Sequence, residues 1–435
     1  MTALVVGVGL TGRSLASHLL ELGEEVLAID SRQSPPMAEK MPPVEIWRGE
    51  DFRLWPASRF KQFTRVALSA GVSPADVAAP LETITGDAEL FTEAWRMHKP
   101  LTTLLAVTGT NGKSSTTAMT VHLCKMAGDT AEAVGNIGEP LLDAFWRWKK
   151  SEFPAVVAAE LSSFQLQTAA GFNSDAAVVL NVSDDHLDRH GDLSSYAKTK
   201  ARIYKSARTA AANGDDPLVL SMSLPEKKRV FAINNPAADW TMRDNIVIGG
   251  DLRLAIADMS MAAAQQPENV LAALSLMDVA GLKPVGKGLE NFIGLPHRRQ
   301  VIKSGWGLTF IDDSKATNVS AACAALYEMS AKTVLIAGGD GKGQDFKPLA
   351  QTARGRVRLV CLIGKDAPLL KSAFAAESVA TLNADDMDDA VSKAVVAAKT
   401  GDAVLLSPAC SSLDMFDDYR ARAAAFARAA RAVGE

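Results

Sequence analysis

Leu104-Leu105-Ala106-Val107-Thr108-Gly109-Thr110-Asn111-Gly112-Lys113-Ser114-Ser115-Thr116-Thr117 is the stretch that decides the fold. Its apolar start, Leu104–Val107, predicts a buried strand. Thr108–Gly112 predicts a tight glycine-bearing turn, and in Ser115–Met126 the Ala, Met, Leu and Cys residues recur at helical spacing. Strand, glycine turn, Gly-Lys-Ser and helix together lay out a phosphate cradle. Glycines let the backbone approach a polyphosphate, and a helix start directs N–H groups and the positive end of its dipole at it. Lys113 is then placed for the outer phosphates and Ser114 for Mg²⁺. Val107 stands where the common G-x-x-x-x-G-K-[ST] pattern has its first glycine, and the extra loop glycine is Gly109. The competing reading is an ordinary strand-to-helix turn with a solvated lysine. With the context intact on both sides, ATP chemistry is the starting expectation.

Toward the N-terminus, Ala3–Val6 predicts a strand, Gly7-Val8-Gly9-Leu10-Thr11-Gly12 a turn, Arg13–Leu22 a helix, and Glu25–Ile29 a second strand ending at Asp30. G-x-G-x-x-G with an acidic residue 18 positions after its last glycine is a dinucleotide fingerprint, although the same turn holds any diphosphate. Asp30-Ser31-Arg32 suits a ribose or a base. Arg65–Ser69 predicts another strand, and Ser69–Pro74 puts a glycine turn at its carboxyl end, where open α/β sheets bind ligands.

Toward the C-terminus, Glu89–Met97 predicts a helix and Lys99-Pro100 a boundary. Ala155–Ala159 predicts a strand closed by Glu160, which either holds Mg²⁺ or is a solvated strand end. Ala176–Leu180 leads into Asn181-Val182-Ser183-Asp184-Asp185-His186-Leu187-Asp188-Arg189-His190. There His186 is either a core histidine or, beside Asp184, Asp185 and Asp188, a metal or phosphate ligand. Tyr196–Ala207 predicts a helix whose Lys198, Lys200, Arg202 and Lys205 read, by composition, as a solvated basic face. Short strands are expected at Val230–Ile233 and Asn245–Ile248, and Asn269 as the cap of a helix running to Ala280. From near Pro296, strands at Leu308–Ile311, Thr333–Ala337, Val357–Ile363 and Ala403–Leu406 alternate with helical stretches, which implies a parallel sheet. The final helix, Asp418–Val433, is rich in Ala and Arg and is expected as a surface cover.

At 435 residues the chain is too long for one core, and two or three domains are expected. A net charge of −4 gives no general footprint for nucleic acid or an anionic membrane. Cys124, Cys323, Cys361 and Cys410 lack metal-ligand or redox spacing, which points to a reducing compartment. Met1-Thr2-Ala3-Leu4 carries no basic leader and no apolar run is long enough to span a bilayer. A cytoplasmic protein, with no nucleic-acid partner and no membrane insertion, is the expectation.

Two nucleotide-type turns in one chain suit an enzyme that spends ATP on a substrate that is itself a nucleotide conjugate. In the order of Gly7–Ser14, Gly109–Ser114, Gly135–Gly138, Glu160–Leu166, Asn181–Arg189, Leu295–Arg298, Asp312–Asn318, Gly338–Lys342 and Ser407–Phe416, the chain resembles the Mur ligases over essentially its whole length. Asp313–Asn318 most resembles the members that add D-glutamate. The resemblance implies an α/β protein of three domains: a Rossmann-like UDP-binding domain at 1–91, a central P-loop ATPase-like domain with a mostly parallel sheet at 92–295, and a C-terminal Rossmann-like amino-acid-binding domain at 296–435. It implies ATP-driven addition of D-glutamate to UDP-N-acetylmuramoyl-L-alanine through an acyl phosphate, by a monomer.

The same resemblance implies the site residues. The UDP-linked substrate meets Leu10, Thr11, Asp30, Ser31, Arg32, Gly71, Asn136, Ser162, Gln165 and His186. ATP meets Gly109, Thr110, Asn111, Gly112, Lys113, Ser114, Ser115, Asn269, Arg298 and Asp313. D-glutamate meets Thr317, Lys342, Ser412, Leu413 and Tyr419, with a helix-start N–H at Ser412. Mg²⁺ occupies two sites, one on Ser114 and Glu160, the other on His186 and Lys200, the lysine carbamylated to give an oxygen ligand. Lys113, His186, Lys200 and Lys315 carry the catalysis. Carbamylation needs the free amine, and an ordinary lysine is only about 0.04% neutral at pH 7, so burial of Lys200 is expected. The competing functions are an NAD-dependent dehydrogenase using Gly7–Asp30, a catalytically silent nucleotide-binding scaffold, and a sibling or folylpolyglutamate-type ligase.

Overall fold

The computed structural model describes residues 2–305, 307–329 and 331–433; Met1 of the opening tetrapeptide lies outside them. Three sheets carry the chain. The first is fully parallel, in the order Glu45–Arg48, Glu25–Asp30, Thr2–Val6, Arg65–Leu68, Ile84–Thr85. Its strand order reverses at Thr2–Val6, which opens a crevice between the carboxyl ends of Thr2–Val6 and Arg65–Leu68. The Gly7 and Ser69–Pro74 turns face each other there. A Cβ on Gly7 (φ +92°) would lie 2.9 Å from Val72 Cγ2 and 3.0 Å from Ser69 Cβ.

The second sheet runs Leu252–Ala255, Ile246–Gly249, Trp240–Arg243, Lys228–Ala232, Thr209–Asn213, Ala176–Val179, Thr103–Thr108, Val156–Glu160, Ala131–Gly135. It is parallel except for the meander of its first three strands. Thr103–Thr108 lies between Val156–Glu160 and Ala176–Val179, so the polar residues leaving both neighbours border the phosphate loop. The third sheet runs Gln300–Gly305, Leu308–Asp312, Ala403–Leu406, Thr333–Gly338, Val357–Ile363, Thr381–Asn383, with only the first pair antiparallel. Central strands buried on both faces read as unbroken apolar runs.

The chain forms two compact units, 1–182 with 189–292 and 183–188 with 293–435. In the first, helices Leu10–Glu21, Asp87–His98 and Leu141–Lys150 share one core with Ala3 and Val5 of the first sheet and Leu104 and Ala106 of the second. Phe91 stacks on Phe172 at 5.8 Å and meets Phe145 edge-on at 6.3 Å. Polar ties run across the same join: Lys150 to Glu21 at 2.8 Å, Arg13 to Asp143, and Trp146 Nε1 donating to His18 Nδ1 at 3.0 Å.

His18 is 2% exposed. Burial first, then the cationic Arg65 and Lys149, bring its imidazole down to about 4. An unfolded histidine takes its proton near 6.5, so between those values the unfolded chain binds more protons and stability falls with falling pH. Denaturant unfolding should lose about 2 kcal/mol between pH 7 and pH 5 from this group alone. His18→Asn, which can still accept from Trp146, should remove that increment; an unchanged pH slope would contradict it.

Several expectations about helices change. Leu10–Glu21 starts three residues early, so Leu10 and Thr11 lie in its first turn. Gly12 is needed because a Cβ there would collide with the Gly7 carbonyl. The helix expected through Ala207 ends at Ala201 and continues as a 3₁₀ turn, Arg202–Tyr204. There the Tyr204 hydroxyl turns inward, donating to the Ala211 carbonyl and accepting from the Val179 N–H, both at 2.8 Å. The last helix, Tyr419–Ala432, is more than a cover, because Arg422 is fully buried. Its guanidinium donates to Ser314 Oγ (3.1 Å), the Ser314 carbonyl (2.9 Å) and the Cys410 carbonyl (3.1 Å).

Candidate active site

The phosphate loop leaves Thr103–Thr108 and enters helix Lys113–Met126, which starts at the lysine rather than at Ser115. Gly109 (φ +156°) and Gly112 (φ +80°) hold backbone angles that side chains resist. A Cβ on Gly109 would sit 2.9 Å from Leu180 Cβ, and one on Gly112 would meet Asn269 Oδ1. Asn181, just past Ala176–Val179, braces the loop: its carbonyl accepts from Thr110 N–H at 2.9 Å and its Oδ1 from Asn111 N–H at 2.8 Å. The Lys113 ammonium curls over the loop, donating to the carbonyls of Gly109 (2.9 Å) and Thr110 (2.8 Å). Asn269 is not the cap of its helix. Pro267–Ala280 starts after Gln266, and Asn269 lies within the first turn, accepting from Thr116 Oγ1 at 3.2 Å and donating to Gln266 Oε1 at 3.0 Å.

Glu160 pairs in register with Val107, immediately before the loop. It is 1% exposed. Asn136 Nδ2 donates to its Oε1 at 2.7 Å, and the Asn136 N–H to its carbonyl at 2.8 Å. Its Oε2 is buried with no hydrogen-bond partner in the protein. A buried carboxylate oxygen left unpaired is costly, and a cation removes that cost, so this carboxylate fits a Mg²⁺ beside a phosphate cradle. Among the described residues no three His, Cys, Asp or Glu side chains converge as a ready metal cage. Mg²⁺ that keeps waters and takes phosphate oxygens needs only one or two protein ligands.

Lys200 is not on a solvated face. It is 1% exposed, donates to the Gly109 carbonyl at 2.7 Å and lies 4.4 Å from the Tyr196 ring centroid. Two lysines therefore converge on one loop carbonyl.

In the first sheet's crevice, Asp30 is engaged internally, by the N–H of Val8 (2.7 Å) and by the N–H, Nε and Nη2 of Arg32 (2.9, 2.8 and 2.7 Å). Burial pushes its carboxyl up, but these hydrogen bonds hold it below the usual range. Arg32 and Ser31 stay exposed, and Leu10 presents an apolar side chain 48% exposed at the mouth. Ser162 caps Ser163–Gln167, and Gln165 is engaged at both ends, accepting from the Ser162 N–H at 2.9 Å and donating to buried Asp87 at 2.7 Å.

The second unit holds the remaining candidates. Asp313 accepts from Ser407 Oγ at 2.8 Å and from the Arg299 N–H at 3.2 Å. Burial pushes its carboxyl up to about 6, against the pull of Arg299, the Ser407 hydroxyl and Arg298. Lys315 Nζ lies 4.1 Å from the Tyr419 ring centroid, and His297 Nδ1 is 2.7 Å from Asp312 Oδ2. Thr317 is half-buried, Ser412 buried, Leu413 and Lys342 exposed. No helix starts at Ser412: its carbonyl closes a turn with the N–H groups of Met415 and Phe416, and the helix begins at Tyr419. His186 (φ +54°) lies in the 183–188 segment of this unit, which is tied by Asn318 Nδ2 to Asp185 at 3.0 Å and by Ser183 to Ser320 at 2.9 Å. Sequence reasoning missed Asn181 as a brace and Ser407 as a partner of Asp313. Both lie within two residues of the carboxyl ends of parallel strands, a signal that marks ligand-facing positions.

Comparison with known proteins matches three domain models in order: "Mur ligase MurD-like, N-terminal domain" at 1–83, "Mur ligase middle domain" at 107–277, and "Mur ligase, glutamate ligase domain" at 297–410. The UDP-N-acetylmuramoylalanine–D-glutamate ligase of Thiobacillus denitrificans is 40% identical over 98% of this chain and 95% of its own. That of Aromatoleum aromaticum is 41% identical over 99% and 97%. Among solved structures, the UDP-N-acetylmuramate-alanine ligase of Thermotoga maritima has a TM-score of 0.60 at 18% identity, covering 100% of both chains. The MurF ligase of Thermotoga maritima in complex with ADP also has a TM-score of 0.60, at 18% identity, covering 99% of this chain and 95% of its own. These matches remove the dehydrogenase reading of Gly7–Asp30. With all three domain models in order and relatives about as long sharing some two-fifths of their residues, the chain belongs to the Mur ligase family.

Proposed function

We propose that this chain is a cytoplasmic, ATP-dependent, ADP-forming ligase that joins D-glutamate to UDP-N-acetylmuramoyl-L-alanine in peptidoglycan precursor synthesis. The observation that carries the reading is a phosphate loop with a buried, half-unpartnered Glu160 beside it, in a chain whose relatives over nearly its whole length bear that name. Residues 1–91 take the UDP moiety, with Leu10, Thr11, Asp30, Ser31, Arg32 and Gly71; Asn136, Ser162, Gln165 and His186 follow the muramoyl-alanine. Residues 92–295 take ATP on Gly109–Ser115 and Asn269, with Arg298 and Asp313 also assigned to it. Residues 296–435 take the amino acid with Thr317, Lys342, Ser412, Leu413 and Tyr419.

A carboxylate is a poor electrophile, so the L-alanine carboxylate first attacks the γ-phosphorus of ATP, forming an acyl phosphate and releasing ADP. Two unit anions at about 4 Å repel by roughly 4 kcal/mol at an effective dielectric near 20, and several phosphate oxygens multiply that. Lys113 and Lys315 supply positive charge against it. Mg²⁺, held by Ser114 with Glu160 and, at a second site, by His186 with carbamylated Lys200, would neutralise phosphate charge in the same way. The D-glutamate amine then attacks the acyl carbon, the phosphate leaves, and the nitrogen loses a proton. Lys342 is a suitable partner for the amino acid's carboxylates.

The test is phosphate release from ATP with UDP-N-acetylmuramoyl-L-alanine and a panel of D- and L-amino acids. D-glutamate should stimulate release on the order of 100-fold over L-glutamate, as expected of a site built to hydrogen-bond its substrate. Equal stimulation by the two enantiomers, or release indifferent to any amine, would contradict the assignment.

A further inference from the structure

Arg189 follows His186 by three positions. Its guanidinium reaches the first domain and gathers three consecutive carbonyls of the turn at the end of Arg65–Leu68. Nη1 donates to Ala70 (3.0 Å) and Gly71 (3.2 Å), and Nη2 to Val72 (2.9 Å). The fork is itself aimed from behind: Nε donates to Gln167 Oε1 at 2.8 Å, and the plane lies 4.1 Å from the Phe164 ring centroid. Charge-assisted bonds from a planar fork fix orientation as well as position. The turn so held is the wall facing Gly7 across the switch-point crevice, where Val72 and Ser69 lie closest to the Gly7 position.

Holding the two domains together does not require Arg189. On the helix side, the aromatic core and the Lys150–Glu21, Arg13–Asp143 and Trp146–His18 contacts already do so. What Arg189 adds is local: it sets where the Ala70–Val72 backbone lies in the crevice.

We propose that Arg189 is a positioning residue for the nucleotide end of the substrate, acting through the Ser69–Pro74 turn, so that its loss weakens recognition of the uridine diphosphate group selectively. The inference rests on the reading that residues 1–91 take that group. Gln167 is part of the same device, as the acceptor that orients the fork.

Arg189→Met keeps an unbranched side chain beside Phe164 and removes the guanidinium with all three carbonyl bonds. Arg189→Lys can satisfy one at a time. The Met variant should raise KM for the UDP-linked substrate about tenfold or more, since small misplacements at a binding wall carry effects of this size. KM for ATP and for D-glutamate should stay within about twofold, and the melting temperature within a few degrees. Binding of UDP alone, followed by calorimetry, should weaken by the same factor, with the Lys variant in between. If the Met variant does not fold, Gln167→Leu carries the test, with the same selectivity and a smaller shift.

Unchanged UDP affinity in a folded Met variant, with wild type binding UDP normally, overturns the positioning role alone. Equal KM increases for all three substrates overturn it as well, by revealing a general packing effect. A wild-type protein that does not bind UDP overturns the assignment of the first domain and this inference with it.

Discussion

Lys200→Ala is expected to lower kcat/KM by about 10²–10³-fold, with Lys200→Arg no better than about tenfold above it. The contrast between the two separates the roles open to this side chain. As an enclosed amine it donates to the Gly109 carbonyl. If holding that carbonyl were its whole function, another long cation would recover much of the activity. If the nitrogen instead attacks carbon dioxide and loses a proton, the product is an anionic oxygen ligand that arginine cannot supply. The loop itself should survive the substitution, because Lys113 also donates to the Gly109 carbonyl and Asn181 braces Thr110 and Asn111. Steady-state kinetics at saturating Mg²⁺ and ATP, with bicarbonate present and then depleted, check this. Full activity in Lys200→Ala would refute the role, and so would full activity in Lys200→Arg.

The second large effect belongs to Glu160. Glu160→Gln keeps the acceptor for Asn136 Nδ2 and removes the charge whose Oε2 has no partner. It should lower kcat/KM by about 10²-fold and raise the half-saturating Mg²⁺ concentration by about tenfold. The same change should stabilise the metal-free protein by about 1–3 kcal/mol, because a buried unpaired charge is gone. Loss of activity with gain of stability marks a residue held for function. A strand-end glutamate without that role would leave the Mg²⁺ titration unmoved. Mg²⁺-dependent kinetics and a melt in chelator report the two halves separately.

Much of the fold was legible because its central strands are unbroken apolar runs. Val357–Ile363 and Ala403–Leu406 match expectation to the residue, and Thr103–Thr108 is one residue longer at each end than Leu104–Val107. Strands of other composition were not. Thr209–Asn213 is fully buried but mostly alanine, which carries no strand signal. Glu45–Arg48, Ala131–Gly135 and Thr381–Asn383 are short edge strands with polar positions, and of the meander only Ile246–Gly249 had an expected counterpart.

The candidate site divides in the same way. Its local parts, the glycine turns with Lys113, were readable because backbone geometry dictates residue type over a few positions. Parts made by tertiary approach were not. Lys200 reads as one cation among four on a helix, and its approach to Tyr196 and the Gly109 carbonyl becomes visible in three dimensions alone. Arg422 reads as surface and is the buried tie between Ser314 and Cys410. Asn269 reads as a cap because asparagine favours helix starts, and in fact it faces Gly112.

If the phosphate loop spends ATP on activating a carboxylate for attack by an amine, an oxygen of that carboxylate must leave with the phosphate. The measurement uses UDP-N-acetylmuramoyl-L-alanine labelled with ¹⁸O in both oxygens of the alanine carboxylate, incubated with ATP, Mg²⁺ and D-glutamate. Carboxylate attack on the γ-phosphorus predicts one ¹⁸O atom in the inorganic phosphate for each peptide bond formed, and one retained in the new amide. Unlabelled phosphate alongside peptide product would contradict activation of the carboxylate by phosphoryl transfer.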